Sequence, residues 1–300
     1  MRPAPKWTEF PQYPVIAGTA ILAIAVTIAW WSKLNVSPLF ETAMIRRGEV
    51  WRLITGIFPH TDILHLVFNI YWLWVFGTLV EQVYRHLRTA ALIALFALGS
   101  GSLEFAFALG GVGLSGVAYG FFGLLWTLSR RDDRFHDAVD RKTVQLFVVW
   151  FFFCIGMTVM HVFSVGNIAH GSGAVLGILT ATAIALPGRR ILIAASIGAI
   201  LLFGLWGSTL GRPRINLSAK AGYEEGQWGY DALVANRDLE AVRWFRDAVM
   251  YQPKLPVYWF DLGIAYQRLG NKAAAQAAYQ RAHQLEPNEV KYSEALKELN

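Results

Sequence analysis

The sequence predicts an all-α membrane protein, a bundle of seven membrane-crossing helices followed by a small α-solenoid. Three observations predict it. Hydrophobic residues make up 55% of the chain and charged residues only 16%, against roughly 25% charge in soluble domains. Seven apolar runs approach the length of about 20 residues that crosses a bilayer, separated by segments holding Arg, Lys, Trp and Tyr. Beyond them the composition turns charge-balanced and repeats at 34 residues.

The runs extend from Pro14 to Trp31, Ile63 to Tyr84, Ala90 to Leu109, Gly113 to Ser129, Val144 to Val165, Ala169 to Leu186 and Ile191 to Leu210. The first follows basic residues, as a signal peptide does, but has no small-x-small cleavage site and ends in the aromatic pair Trp30-Trp31. It reads as a retained helix. The segment Tyr71-Trp72-Leu73-Trp74 in the second run is expected to face lipid or the membrane interface.

Charge sets the orientation. With the N-terminus inside, the cytoplasmic connections hold Arg85, Arg88, Arg130, Arg131, Arg134, Arg141, Lys142, Arg189 and Arg190, while the outer loops hold only Lys33, Arg46, Arg47 and Arg52. Cytoplasmic loops carry the Lys and Arg excess, so the N-terminus is expected in the cytoplasm. Everything after Leu210 then lies outside, on the periplasmic or extracellular face of a bacterial cell (inner) membrane. Topology accounts for the net charge of +6, and no basic stripe interleaved with aromatics points to nucleic acid. The single cysteine, Cys154, lies in the fifth run, so no intramolecular disulfide forms.

Residues 1–210 are expected to form the membrane domain, 211–218 a linker and 219–300 the repeat domain. A shift of 34 residues superposes Gly229 on Gly263, Ala241 on Ala275, Phe245 on Tyr279, Ala248 on Ala282 and Pro253 on Pro287. The second copy also carries Trp259-x2-Leu262-Gly263-x2-Tyr266. This pattern resembles the tetratricopeptide repeat. Its small residues let paired helices approach, its aromatics fill the space between them, and its Pro ends each unit. Two repeats and a capping helix near Asn288 to Leu299 account for the tail. The first copy departs from the pattern, with Glu225 at the place of Trp259 and Ala232 at that of Tyr266. The resemblance implies a docking surface for a protein partner or substrate.

Ionisable and strongly polar residues inside a span are costly, so they are functional candidates by default. His65 and Asn69 share one face of the second run, Ser115 and Tyr119 share one face of the fourth, and His170 opens the sixth. Ser115 follows Gly110-Gly111 and Gly113-Leu114 where a loop enters a helix. Glycines permit a tight turn there, and free N–H groups at a helix start can receive an oxyanion. A serine hydroxyl needs a neighbouring base, usually histidine, whose ordinary pKa is about 6.5. His170 is that base by position. No Asp lies in any run, so a dyad replaces the triad.

His65-x-x-x-Asn69, Gly113-x-Ser115-Gly116-x-x-Tyr119 and Ala169-His170-x-x-Gly173-x-x-x-Gly177, with Trp51-Arg52 upstream, resemble the motifs of rhomboid intramembrane serine proteases over Pro14 to Leu186. Glu81 also resembles a family position. The resemblance implies a six-helix rhomboid core, to which the seventh run is an addition. It further implies a Ser115–His170 dyad in a water-filled cavity below the outer surface, cutting transmembrane segments of membrane proteins in the lipid bilayer. His65, Asn69 and the Ser115 backbone N–H are expected to form the oxyanion hole. Tyr119 packs against the imidazole, and Gly173 and Gly177 let the sixth helix approach the fourth. Arg52 either orders the first loop or reaches lipid phosphate. The roles of Trp51, Glu81 and His60 are left open, and neither metal nor organic cofactor is expected.

Two other readings compete. An inactive rhomboid relative that binds membrane proteins usually lacks the Ser or the His, and both are present here. A transporter with a regulatory repeat tail would favour two related halves with broken helices, and no such symmetry is visible.

Overall fold

Each apolar run folds as helix in the computed structural model, which describes residues 3–163 and 165–299. Position 164, near the end of the fifth run, lies outside the described residues. The first helix, α1, is Pro14–Trp31. The next helical stretch, Ile63–Phe107, has 45 residues. At 1.5 Å per residue this is about 68 Å, twice the hydrocarbon thickness. Arg85, at φ 65° and ψ 176°, breaks it into α2 (63–84) and α3 (86–107). The remaining membrane-unit helices are α4 (Ser115–Leu128), α5 (Arg141–Val159), α6 (Asn167–Ala185) and α7 (Arg190–Ser208).

Length decides what α4 does. Its 14 residues extend about 21 Å, less than the roughly 30 Å of hydrocarbon. From Gly116 to Leu125 every residue is buried, so α4 is enclosed by its neighbours. A helix this short does not cross the hydrocarbon by itself. Ser115 is its first residue.

Polar residues tie the bundle together. Glu81, 2% exposed, accepts N–H bonds from Val15 and Ile16 at 3.0 Å each and lies 2.7 Å from His86 Nδ1. Its carboxylate thus satisfies free donors in the first turn of α1 and joins that turn to the chain reversal at Arg85. The first loop is ordered by Arg52, whose guanidinium donates to the Ser37 and Phe40 carbonyls and to Glu49. Trp51 beside it is exposed.

The expectation for Tyr71-Trp72-Leu73-Trp74 is corrected. Only Tyr71 is exposed, while Trp72, Leu73 and Trp74 are buried. Trp74 stacks on Trp7 at 4.4 Å between ring centroids and donates its indole N–H to the Pro5 carbonyl at 2.9 Å. The segment before α1 covers Trp74, and Phe76 and Phe147 pack on Trp72; hydropathy does not reveal these contacts.

The chain divides into two compact units, Met1–Arg212 and Pro213–Asn300. The segment expected as linker contains one helical turn, Arg212–Ile215. The second unit consists of α8 (Tyr223–Val234), α9 (Asp238–Tyr251), α10 (Pro256–Arg268), α11 (Lys272–Leu285) and α12 (Val290–Leu299). The 34-residue period is spatial as well as sequential. A Cβ on Gly229 would press on the Phe245 ring and one on Gly263 on the Tyr279 ring, the same contact in both helix pairs. Ala241 and Ala275 are buried at equivalent places. Tyr292 of α12 closes the stack against Phe260, 5.0 Å between centroids.

Candidate active site

Ser115 is half-buried at the start of α4, and the backbone before it is held at several points. Gly113 has φ +101°, in the left-handed region, and a Cβ there would lie 2.8 Å from His65 Cε1 and Nε2. Only glycine fits both the turn and the histidine beside it. The Gly113 N–H donates to the Gly56 carbonyl at 3.0 Å, and the Gly111 N–H to Glu41 Oε2 at 2.9 Å. The Leu114 N–H donates to His60 Nε2 at 3.3 Å.

His60 is fully buried. Its Nδ1 lies 2.9 Å from the Phe58 carbonyl, which requires a proton on Nδ1 and leaves Nε2 free to accept from Leu114. Burial pushes its pKa down to about 4, in keeping with a neutral ring in both bonds. The sequence leaves this residue without a role. The structure makes it an anchor of the turn that presents Ser115.

His170, 3% exposed, stands on the first turn of α6. Its ring lies on that of Tyr119, with centroids 4.6 Å apart and planes 19° apart. The Tyr119 hydroxyl donates to the Phe147 carbonyl at 3.1 Å, which fixes the phenol from the far side. His170 Nδ1 is buried with no hydrogen-bond partner among the described residues, so aromatic stacking orients the ring where a triad would use an acid.

Glycine brings α6 to α4. A Cβ on Gly173 would strike the Gly116 carbonyl, and one on Gly177 the Gly120 carbonyl, so the two backbones touch along two turns. That contact carries His170 to the side of α4 that bears Ser115 and Tyr119.

Glu104 completes this wall. It is 5% exposed near the end of α3 and accepts the Ala169 N–H at 2.9 Å through Oε2. Its carboxylate caps the first turn of α6 one residue before His170, where negative charge is favoured. Sequence reasoning passed over it by looking for Asp. An acid inside the third apolar run was the available signal.

Ser115, His170, His65, Asn69 and Tyr119 all line one cavity of about 1120 Å³. Asn69 is 4% exposed and lies one turn along α2 from His65, whose Nδ1 is 3.2 Å from the Thr61 hydroxyl. On the side toward α5 the cavity is walled by Phe68 and Trp150, 5.5 Å between centroids. Trp51 and Arg52 are absent from its lining, and Arg52 acts on the first loop.

Two parts of the chain match known families. Residues 47–187 match the family described as the rhomboid domain, and residues 256–289 match the tetratricopeptide repeat. The chain is similar to Rhomboid protease GlpG of Salmonella paratyphi A (strain ATCC 9150 / SARB42), of Salmonella typhi and of Salmonella newport (strain SL254). Each is 31% identical over 183 residues, 59% of this chain and 63% of the relative. The chain thus spans 63% of the length of these relatives.

Proposed function

From a chain that carries a rhomboid domain and a tetratricopeptide repeat, we propose an intramembrane serine endopeptidase that cleaves transmembrane segments of other membrane proteins, with Ser115 as nucleophile and His170 as general base. One observation carries this reading: Ser115 and the Tyr119-stacked His170 line a single cavity together with His65 and Asn69. A solute carrier does not need a serine that shares a cavity with a histidine held by ring stacking.

The chemistry follows from the positions. His170 takes the hydroxyl proton of Ser115 as the oxygen attacks the scissile carbonyl, and returns it to the leaving amine. The tetrahedral oxyanion is received by the Ser115 N–H at the open end of α4, with His65 and Asn69 as side-chain donors. One such donor is worth about a hundredfold in rate or more. Water then enters the cavity and gives a proton to His170 as its oxygen attacks the acyl carbon; His170 passes that proton to the Ser115 oxygen as the acyl bond breaks, which releases the acid and restores the dyad. Gly113 and Gly116 give the turn its shape, and Gly173 and Gly177 hold base and nucleophile together.

The Lys and Arg distribution supports a cytoplasmic N-terminus in a bacterial cell membrane, with the repeat unit beyond the seventh span on the outer side. That unit is proposed to dock substrates or protein partners. Deletion of residues 219–300 should reduce cleavage of physiological substrates and spare a short model substrate; equal loss or no loss for both refutes the docking role.

The experiment for the protease itself is cleavage of a model transmembrane substrate in liposomes by wild type, Ser115→Ala and His170→Ala. Cleavage by wild type alone, with folded variants, supports the dyad. A folded wild type that cleaves none of several substrates and is not labelled by a fluorophosphonate refutes it.

A further inference from the structure

The rhomboid match ends at residue 187, yet a residue beyond α7 reaches the segment that leads to Ser115. Arg212 is 3% exposed. Its Nε donates to the Phe105 carbonyl at 2.8 Å and its Nη2 to the Ala108 carbonyl at 3.1 Å. Its guanidinium carbon lies 3.8 Å from the centroid of the Phe105 ring. These carbonyls belong to the last turn of α3 and the residue after it, where Ala108 turns extended and the helix ends.

Carbonyls at a helix end lack intrahelical partners, and a cation there is favoured. A planar guanidinium can bond two of them and rest on an aromatic face at once, which an ammonium cannot do in one geometry. Arg212 therefore fixes where α3 stops and in which direction residues 108–114 leave it. The other anchors of that loop come from the first outer loop: Glu41 on Gly111, Gly56 on Gly113 and His60 on Leu114. Arg212 holds the end they do not.

Helix α7 is built to deliver this residue. Gly204 and Gly207 are buried, and a Cβ on Gly204 would strike the Ser102 hydroxyl of α3. The Thr209 carbonyl accepts from Arg46 Nε at 3.2 Å, which pins the end of α7 to the first loop three residues before Arg212.

We propose that Arg212 is a positioning residue for the nucleophile, so that the seventh helix belongs to the catalytic apparatus and is not only an anchor for the repeats. The inference rests on Ser115 being the nucleophile. Removing the clasp frees the loop at its α3 end, and displacing a nucleophile by about 1 Å costs on the order of a hundredfold in rate.

The test compares wild type, Arg212→Ala, Arg212→Gln and Arg212→Lys as full chains in liposomes. It measures kcat, KM, the rate of fluorophosphonate labelling of Ser115 and the unfolding midpoint. The Ala and Gln variants should lose about tenfold or more in kcat and in labelling rate together, with KM within about twofold of wild type. Lys, which keeps the charge, should fall between them and wild type. A folded Ala variant with kcat and labelling within about twofold of wild type, or a loss confined to KM, overturns the inference. If the Ala chain does not fold, Lys and Gln decide: higher kcat in Lys supports the inference, and equal kcat overturns it. An inactive and unlabelled wild type refutes the protease reading itself, an outcome separate from these.

Discussion

The imidazole of His170 lies on the phenol of Tyr119 at 4.6 Å and 19°, while the Tyr119 hydroxyl is spent on the Phe147 carbonyl of α5. The ring, rather than the hydroxyl, faces the histidine. Tyr119→Phe should keep kcat within a few-fold of wild type, and Tyr119→Ala should lower it about tenfold to a hundredfold. Steady-state cleavage of a transmembrane substrate separates the two; equal losses would mean that the hydroxyl, not the stack, carries the role.

Gly177→Ala places a methyl group against the Gly120 carbonyl, which is backbone and has no rotamer to yield. The helices α4 and α6 must part. Overpacking of this kind costs about 1 to 3 kcal/mol, and the separation moves His170 away from Ser115. A lower unfolding midpoint accompanied by a kcat loss of about tenfold or more is expected; Gly171→Ala, on a face where a Cβ meets only the Phe151 ring at ordinary contact distance, is the control and should change neither.

Glu104 acts as a hydrogen-bond acceptor for the α6 terminus. Glu104→Gln retains a carbonyl oxygen for the Ala169 N–H and should stay within a few-fold of wild type. Glu104→Ala leaves that donor without its partner, at a cap cost of about 0.5 to 2 kcal/mol, and should lower the labelling rate of Ser115 along with kcat. Equal activity of the Ala and Gln variants would show that the capping bond is dispensable.

Acid should weaken the fold through His60. Its pKa falls from the ordinary 6.5 to about 4 on burial, so between these values the unfolded chain binds a proton that the folded chain refuses. Stability therefore rises with pH through this window and is lost as pH falls, by up to about 3 kcal/mol. Unfolding midpoints measured from pH 7.5 to 4.5 should drop less steeply in His60→Gln than in wild type, even if the variant is less stable at neutral pH. Parallel slopes would assign the acid sensitivity to other groups.

Much of this site was legible in the sequence because its parts are local. His65 with Asn69, and Ser115 with Tyr119, stand one helical turn apart, so spacing alone puts each pair on one face. The glycines before Ser115 mark a turn, and the 34-residue period exposes Gly263 and Ala275 as interior positions. Other parts were not legible. Glu41, His60, Glu104 and Arg212 all act on backbone N–H or C=O groups 54 to 107 residues away, and every residue type supplies those groups. Trp72 and Trp74 read as facing lipid or the membrane interface because hydropathy does not distinguish packed protein from lipid.

The sequence by itself determined the seven apolar helices, the helical-repeat tail, and the faces bearing serine, histidine and asparagine, since each depends on periodicity and composition within one segment. Only the tertiary structure decided that the short α4 is enclosed by its neighbours, that α4 and α6 touch through Gly173 and Gly177, and that Arg212 from beyond α7 holds the end of α3. The physical reason is range: helix formation and apolar patterning are written within about 20 residues, whereas the capping of helix ends inside a membrane is settled by whichever distant side chain the packing brings near.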